Sequence, residues 1–269
     1  MDSGSTFAEP RVVSFDDCLF YHVMEIPGVG VTRGHWDLRS QLDDFLGRLS
    51  FAGTRVLEIG PASGFLSFEM ERRGANVVAV EITDDPGWDF VPFPDTVLAP
   101  IYARRRDSMR RMKNGFWFAH AAFGSKVQMH YGDVYNLPEA LGQFDIAIMA
   151  NVLLHCESPV KIIEQCAKRA KIILIVELLS PDLEGKPLCR LVPTVENREW
   201  GTWWNFSTDF FVQYLSVLGF SQFNQLLHTQ IHRPHAYTPE EGLHLQPHTL
   251  FSIVASKEGI SSNETVSSP

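Results

Sequence analysis

Paired cysteines, long apolar runs and an excess of basic charge are all missing from this chain of 269 residues. Its four cysteines, Cys18, Cys156, Cys166 and Cys189, show no CxxC spacing. That excludes the usual zinc ribbon and a disulfide framework, and it points to a reducing, cytoplasmic home. The longest apolar runs, such as Ile172 to Leu179, fall far short of the roughly 20 residues needed to span a bilayer. No basic segment followed by an apolar one opens the chain, so no secretory signal is expected. With 23 basic and 32 acidic residues the net charge is −9, which opposes long-range attraction to polyanions. Neither repeats nor a Gly/Ser/Pro-rich linker divides the chain.

What is present is an alternation. "RVLEI", "NVVAVEI", "VQMHYGD", "FDIAIMAN" and "KIILIVELL" read as five strands. They are nearly continuous in apolar residues and are separated by amphipathic stretches, the signature of a parallel sheet covered on both faces. "FLSFEMERRG" reads as a helix with Phe65, Phe68 and Met70 inward and Gly74 as its stop, and Pro159–Lys171 as another. Further on, "NFSTDFFVQYLSVLGF" reads as a helix with Ser207 as N-cap and Gly219 as its end. "SQFNQLLHTQ" and "HTLFSIVASK" then form a terminal hairpin, giving a Rossmann-like α/β fold of seven strands. Residues 1–10 and 259–269 have no apolar period and are expected to be disordered. Two segments exceed the simple alternation: residues 11–45, a cap before the first strand, and 84–125, an insert between strands two and three.

The turn after the first strand carries the chemistry. Glu58, Gly60 and Gly64 spell E-x-G-x-x-x-G, with Pro61 between them, not the G-x-G-x-x-G of a pyrophosphate cradle. Glu58 adds negative charge where a pyrophosphate would sit, so a ligand with a cationic group is favoured. Glu81 closes the second strand and is placed to accept ribose hydroxyls. Asp133, beside the Val134 backbone N–H, is placed to read an adenine edge. Adenine, ribose and a cationic amino-acid tail together describe S-adenosyl-L-methionine.

"VLEIGPASGF", "VVAVEI", "GDVYNLP" and "FDIAIMANVLLHCESP", in this order, resemble the successive motifs of class I S-adenosylmethionine-dependent methyltransferases over about residues 50–180. That family implies a seven-stranded sheet with an antiparallel last strand, and a transferase that carries methyl groups. It also implies that Asn151 and Val152 line the methionine portion of the cofactor. In arrangement, "VTRGHWDLR", "NVLLHCESP" and "NREWGTWWNFSTDFFVQYLSVLGF" are similar to the wobble-uridine tRNA carboxymethyltransferases and their methyltransferase relatives. By that likeness Arg33, His35 and Trp36 cap the cofactor. The tRNA enzymes hold a carboxylated cofactor with a lysine and a tyrosine. Here "CLFYHVMEIPGVGVTRGHW" has no lysine, and Leu154 stands at the tyrosine's place. An extra carboxylate would go uncompensated, so ordinary S-adenosylmethionine is expected. These readings combine into one methyltransferase domain over 11–258: cap 11–45, cofactor core 50–180 and a C-terminal helix and hairpin in 181–258.

His155 follows the fourth strand, where the methyl group must emerge, and is a candidate general base; Glu177, at the end of the fifth, is the other. Trp200, Trp203 and Trp204 are read either as core packing or as a wall against which an acceptor ring stacks. His228, His232, His235, His244 and His248 show no i, i+4 zinc register, so no metal is expected. "YARRRDSMRRMK", from Tyr102 to Lys113, reads as a solvated helix face, with an RNA-contacting arm as the alternative. The favoured acceptor is an oxygen or nitrogen of a small molecule or saccharide, with RNA less favoured and no membrane involved. A non-catalytic S-adenosylmethionine-binding module is the remaining reading.

Overall fold

Strand residues alternate between two apolar layers. The computed structural model describes residues 6–83, 89–234, 236–238 and 244–257. A small hairpin, β1 (Glu25–Ile26) and β2 (Gly30–Val31), is followed by β3 (Trp36–Asp37) and the short α1 (Leu42–Phe45). The alternating core then runs β4 (Arg55–Ile59), α2 (Phe65–Arg72), β5 (Asn76–Glu81), α3 (Asp95–Phe123), β6 (Gln128–Tyr131), β7 (Phe144–Ala150), α4 (Pro159–Ala167) and β8 (Ala170–Leu178). A two-stranded ribbon of β9 (Cys189–Leu191) and β10 (Trp204–Phe206) precedes α5 (Thr208–Val217), β11 (Phe220–His232) and β12 (Gln246–Lys257).

The main sheet has the order β3-β11-β12-β8-β7-β4-β5-β6. Neighbours from β8 to β6 are parallel, and β12 is antiparallel to both β8 and β11. The seven expected strands therefore form, the last of them antiparallel. β3 is an addition at the edge, paired through Ile231 with Asp37 and His232 with Trp36. Val56, Val77, Ala79, Ile146, Ile148, Ile172 and Leu174 pack on one face with α2 and α3. The intervening Leu57, Val78, Val80, Ala147, Met149, Ile173 and Ile175 pack on the other with α4 and α5. This period of two is what a sheet with both faces covered requires.

Three expectations change in detail. Thr6 and Ala8 are tied to β6: the Ala8 N–H donates to the Met129 carbonyl at 2.8 Å, and His130 Nδ1 donates to the Thr6 carbonyl at 2.7 Å. Residues 1–5 and 259–269 lie outside the described residues. The helix expected over Pro159–Lys171 ends at Ala167, because β8 already begins at Ala170. The helix expected from Asn205 starts at Thr208, since Trp204–Phe206 pairs as a strand with Cys189–Leu191. Ser207 is its N-cap, accepting the Phe210 N–H at 3.1 Å.

The described part of the insert is a lengthened crossover helix. α3 runs for 29 residues and ends at Gly124, whose φ of +60° closes it. Phe116, Trp117 and Ala119 in its second half pack on the sheet. Its first half carries Arg105, whose guanidinium lies 5.9 Å from the Trp200 ring centroid.

Candidate functional site

The strand order reverses at β4, which has β5 on one side and β7 on the other. Ligands in open α/β sheets sit outside the carboxyl ends of the strands at such a switch point. The chain leaves β4 through three left-handed residues, Gly60 (φ +74°), Ala62 (φ +53°) and Gly64 (φ +87°). Pro61 sits inside this turn, its carbonyl accepting the Gly64 N–H at 2.8 Å. A Cβ on Gly60 would lie 2.8 Å from Val152 Cγ2, and one on Gly64 2.6 Å from the Phe68 ring. The turn is therefore pressed directly onto α2 and the loop after β7.

Two buried carboxylates back the turn. Glu58 is 2% exposed and accepts the Ser67 hydroxyl of α2. Burial, the largest influence, pushes its pKa up to about 7 despite the Ser67 bond, and nearby Glu81 raises it further. It is thus a weaker negative charge than its position in the sequence suggests. Glu81 takes the Ile82 N–H at 2.9 Å and the Ala62 N–H at 3.3 Å. Burial raises its pKa, while those N–H groups, Lys113 and Arg105 hold it down. A carboxylate offers about four lone-pair directions, so both oxygens retain capacity for ribose hydroxyls.

Across the crevice, Asn151 is left-handed (φ +49°), and its buried Oδ1 has no partner among the described residues. A strained residue with an orphaned acceptor is the mark of a ligand contact. The residues present thus fit a cationic adenosyl ligand: an open acceptor in Asn151, a left-handed turn with glycine at both ends, and buried acids. Asp133 is exposed; its Oδ1 accepts the Tyr135 N–H at 2.8 Å and its Oδ2 the Asn136 amide at 2.6 Å. It caps its own turn, with Val134 buried behind it.

The cap meets this crevice through a residue absent from the sequence expectations. The Tyr21 N–H donates to Ser63 Oγ at 2.9 Å, and the Trp36 side chain hydrogen-bonds the Tyr21 hydroxyl. Trp36 itself stacks on the terminal hairpin, with His232 at 4.7 Å and His248 at 5.5 Å between ring centroids. The Arg33 carbonyl accepts the Tyr237 hydroxyl at 3.2 Å. Within the cap it is Tyr21 that bonds the turn, while Trp36 stands one residue further out. His228 is bound internally, to Ser252 Oγ at 2.9 Å, and His235 lies outside the described residues.

On the acceptor side, His155 Nδ1 donates to the Gly201 carbonyl at 2.5 Å. This leaves Nε2 as the acceptor of the neutral ring. His155 is exposed along part of its ring, yet the groups around it lower its pKa through desolvation, which the Gly201 carbonyl only partly opposes. Glu177 is 2% exposed, and its Oε1 accepts the Leu153 N–H at 3.0 Å and the Leu154 N–H at 3.4 Å. Burial pushes its pKa up to about 8. It is a buried post under the loop that carries His155, not a solvated strand end.

Trp203 and Trp204 spend their indole N–H groups on backbone, on the Asp89 carbonyl at 2.6 Å and the Cys156 carbonyl at 3.1 Å. Trp200 differs: its ring meets Phe90 edge-on at 5.0 Å, and the Arg105 guanidinium lies 5.9 Å from its centroid. Arg105 is another residue the sequence reading missed, hidden in a run assigned to solvent. Leu98, Tyr102, Arg105, Met109, Met112 and Phe116 are spaced by four and three residues, so they form one helical stripe. That periodicity was the available signal. A broad open cleft lined by Met24, Arg39, Phe65, Arg72 and Lys126 contains none of the expected site residues.

This strand order, antiparallel last strand and left-handed turn at the switch point define the class I methyltransferase fold. The chain belongs to the methyltransferase-domain family, whose model matches residues 35–229. It is 27% identical over 132 residues to the ubiquinone biosynthesis O-methyltransferase of Hahella chejuensis, covering 49% of this chain and 44% of that protein. To the protein of the same name from Marinobacter nauticus it is 26% identical over 127 residues, covering 46% and 42%. The chain thus spans less than half the length of the curated relatives it matches. Among solved structures, the N-terminal domain of EvdMO1, crystallised in the presence of SAH and D-fucose, shares the fold. The TM-score is 0.53 at 18% identity, over 90% of this chain and 93% of that one.

Proposed function

We propose that the protein is an S-adenosylmethionine-dependent methyltransferase acting on an oxygen or nitrogen of a small molecule or saccharide. The observation that carries this reading is the left-handed turn Gly60–Gly64, backed by Glu81 at the reversal of strand order and faced by the orphaned Asn151 Oδ1. Glu81 accepts the ribose hydroxyls, and Asp133 with the Val134 N–H reads the adenine edge. Gly60, Pro61 and Gly64 give close backbone approach; Asn151 and Val152 line the methionine portion. Glu58 contributes partial negative charge beneath it, and Arg33 and Trp36 close the site from outside through Tyr21.

S-adenosylmethionine supplies an electrophilic methyl group on a sulfonium. The acceptor's lone pair forms the new bond to carbon as the carbon–sulfur bond breaks, and sulfur keeps the electron pair. The protein's part is alignment and removal of the acceptor proton. His155 Nε2 takes that proton, and Glu177 positions the loop that carries it. Trp200, Trp203 and Trp204 form the acceptor wall. Relatives named for O-methylation in ubiquinone biosynthesis support a small acceptor. The arginine run gives RNA little support. Arg110 pairs with Asp107 at 2.7 Å, Arg111 donates to the Cys18 carbonyl at 3.1 Å, and Arg105 turns inward. Residues 11–258 act as one unit in this reading. Cytoplasmic location rests on the four unpaired cysteines and on the absence, among the described residues, of a helix long and apolar enough to cross a membrane.

Calorimetry tests the reading. S-adenosylhomocysteine (SAH) is expected to bind in the micromolar range and NAD far more weakly, because no pyrophosphate cradle is present. Tighter binding of NAD than of SAH would overturn it.

A further inference from the structure

β11 is a long strand with little beside it on its outer side. It runs from Phe220 to His232, yet β3 pairs only with its last two residues, Ile231 and His232. Just before these, the Thr229 N–H donates to Gln41 Oε1 at 2.9 Å, and beyond them the Arg233 N–H donates to the His35 carbonyl at 2.6 Å. These bonds fix which residues look outward. Backbone groups alternate in direction along an antiparallel strand, so the odd-numbered residues of β11 face away from β12. The pairing with β12 is regular from Gln222 onward. Phe223, Gln225 and Leu227 therefore turn their N–H and C=O groups to the open side, where none of the described residues bonds them.

Such an edge invites another strand, and proteins blunt it with charge, proline or a bulge. Although 20% of the chain is charged, no Asp, Glu, Lys, Arg or Pro occurs from Phe220 to His232. The bulge lies at the start, between Phe220 and Gln222, clear of the open stretch. The side chains agree with the backbone. Leu227 is 63% exposed, Gln225 is exposed and Phe223 is half-buried, and all three share one face of the strand.

The pattern is symmetric about Gln225. A two-fold axis there, with antiparallel strands, sets Gln225 opposite its own counterpart and each Phe223 opposite the Leu227 of the second copy. An aromatic ring then covers an exposed leucine on both sides of a central pair of amides. Neighbouring registers fit less well. Centring on Leu226 would put Phe223 against Thr229, whose N–H is already taken. Centring on Asn224 would leave Leu227 facing Ser221. A foreign strand would need none of this symmetry, and two uncharged strands do not repel.

We propose that the protein forms a two-fold dimer by antiparallel pairing of β11 with β11 of a second copy, centred on Gln225. β12, β8 and β7 separate this edge from β4, so the dimer leaves the nucleotide crevice clear.

Analytical ultracentrifugation of the full chain tests this. A strand pair is a small interface, so a reversible dimer is expected, its share rising with concentration. Gln225→Lys and Gln225→Glu each set two like charges opposite one another, and each should weaken the dimer at least about ten-fold. Mixing the two variants should restore association to within about three-fold of the unaltered chain, because opposite charges then meet. Leu191→Lys, on the exposed strand β9, should leave the dimer intact. Circular dichroism and melting temperature report that each variant folds, and association in the mixture reports it again. A chain that stays monomeric up to about 0.1 mM overturns the proposal, whether a tail or another protein covers the edge. So does a dimer that survives both charged variants, one lost through Leu191→Lys instead, or one that mixing does not restore.

Discussion

The two sides of the crevice are built differently. The proposed cofactor side is local: Glu58 to Gly64 and Glu81 lie on consecutive strands and the turn after the first, fixed by backbone conformation and local hydrogen bonds. The proposed acceptor side is assembled from three distant stretches. These are the early turns of α3, the loop at His155, and Trp200–Trp204, joined by contacts such as Trp203 N–H to the Leu154 carbonyl at 2.8 Å. A site set by local backbone keeps its chemistry as the rest of the chain varies, whereas one assembled from distant surfaces can change ligand with a few side chains.

The comparison predicts that damage on the two sides separates into turnover and cofactor affinity. The largest effect is expected on the acceptor side. His155→Ala should lower the rate of methyl transfer by about 10²–10⁴-fold, the usual contribution of a general base, while SAH affinity holds. Because the ring's pKa is lowered, the acidic limb of the rate profile should lie below that of a free imidazole, with the rate falling as Nε2 is protonated. A loss of SAH binding instead would merge the two sides.

Next comes Gly60→Val. The φ of +74° and the 2.8 Å approach to Val152 combine left-handed strain of about 1–2 kcal/mol with overpacking of about 1–3 kcal/mol. The turn relieves both by shifting from its position in the crevice, and SAH affinity measured by calorimetry should fall by roughly 30- to 5000-fold. Glu81→Ala should cost about 1–3 kcal/mol of SAH affinity, the loss of a charged acceptor from two hydroxyls. If melting temperature collapses and affinity does not, Glu81 is a structural acid.

Glu177→Gln sharpens the contrast through stability. The Glu177 pKa is raised from 4.5 to about 8 in the fold, so the native state holds a proton that the unfolded chain has released. Its stabilising contribution is complete below about pH 4.5 and is lost as pH rises toward 8. The amide mimics the protonated acid. Unfolding free energies from denaturant titration should therefore match at acidic pH and favour the variant by up to about 5 kcal/mol above pH 8. An equal loss at both would mean the group is charged in the fold. The smallest effect is expected from Arg104→Gln with Arg106→Gln, which should leave methyl transfer and its salt dependence within about two-fold.

The same contrast governs what the sequence reveals. β4, β5, β7 and β8 could be read because both of their faces are buried, and the turn because left-handed geometry demands Gly60 and Gly64. β3 could not, since two residues carry no period and its ladder partner β11 lies nearly two hundred positions away. Asn205 and Phe206 were read as helical because the pairing of Trp204–Phe206 with Cys189–Leu191 is nonlocal. Tyr21 gave no signal at all; its backbone N–H finds Ser63 only in three dimensions. Arg105 did carry one, a place in the apolar stripe, masked by the charge around it.

The position of β12 has a consequence for how the protein is made on the ribosome. Of the strands in this sheet it emerges last, yet it lies between β8 and β11. Until it is synthesised, no strand links β11, or β3 paired to it, to the parallel core of the sheet. The backbone N–H of Phe20 likewise waits for the hydroxyl of Tyr237, 2.9 Å away in the finished fold. The nascent chain can form its nucleotide crevice early, but it closes that crevice in one late event, when a single strand drops into a waiting gap.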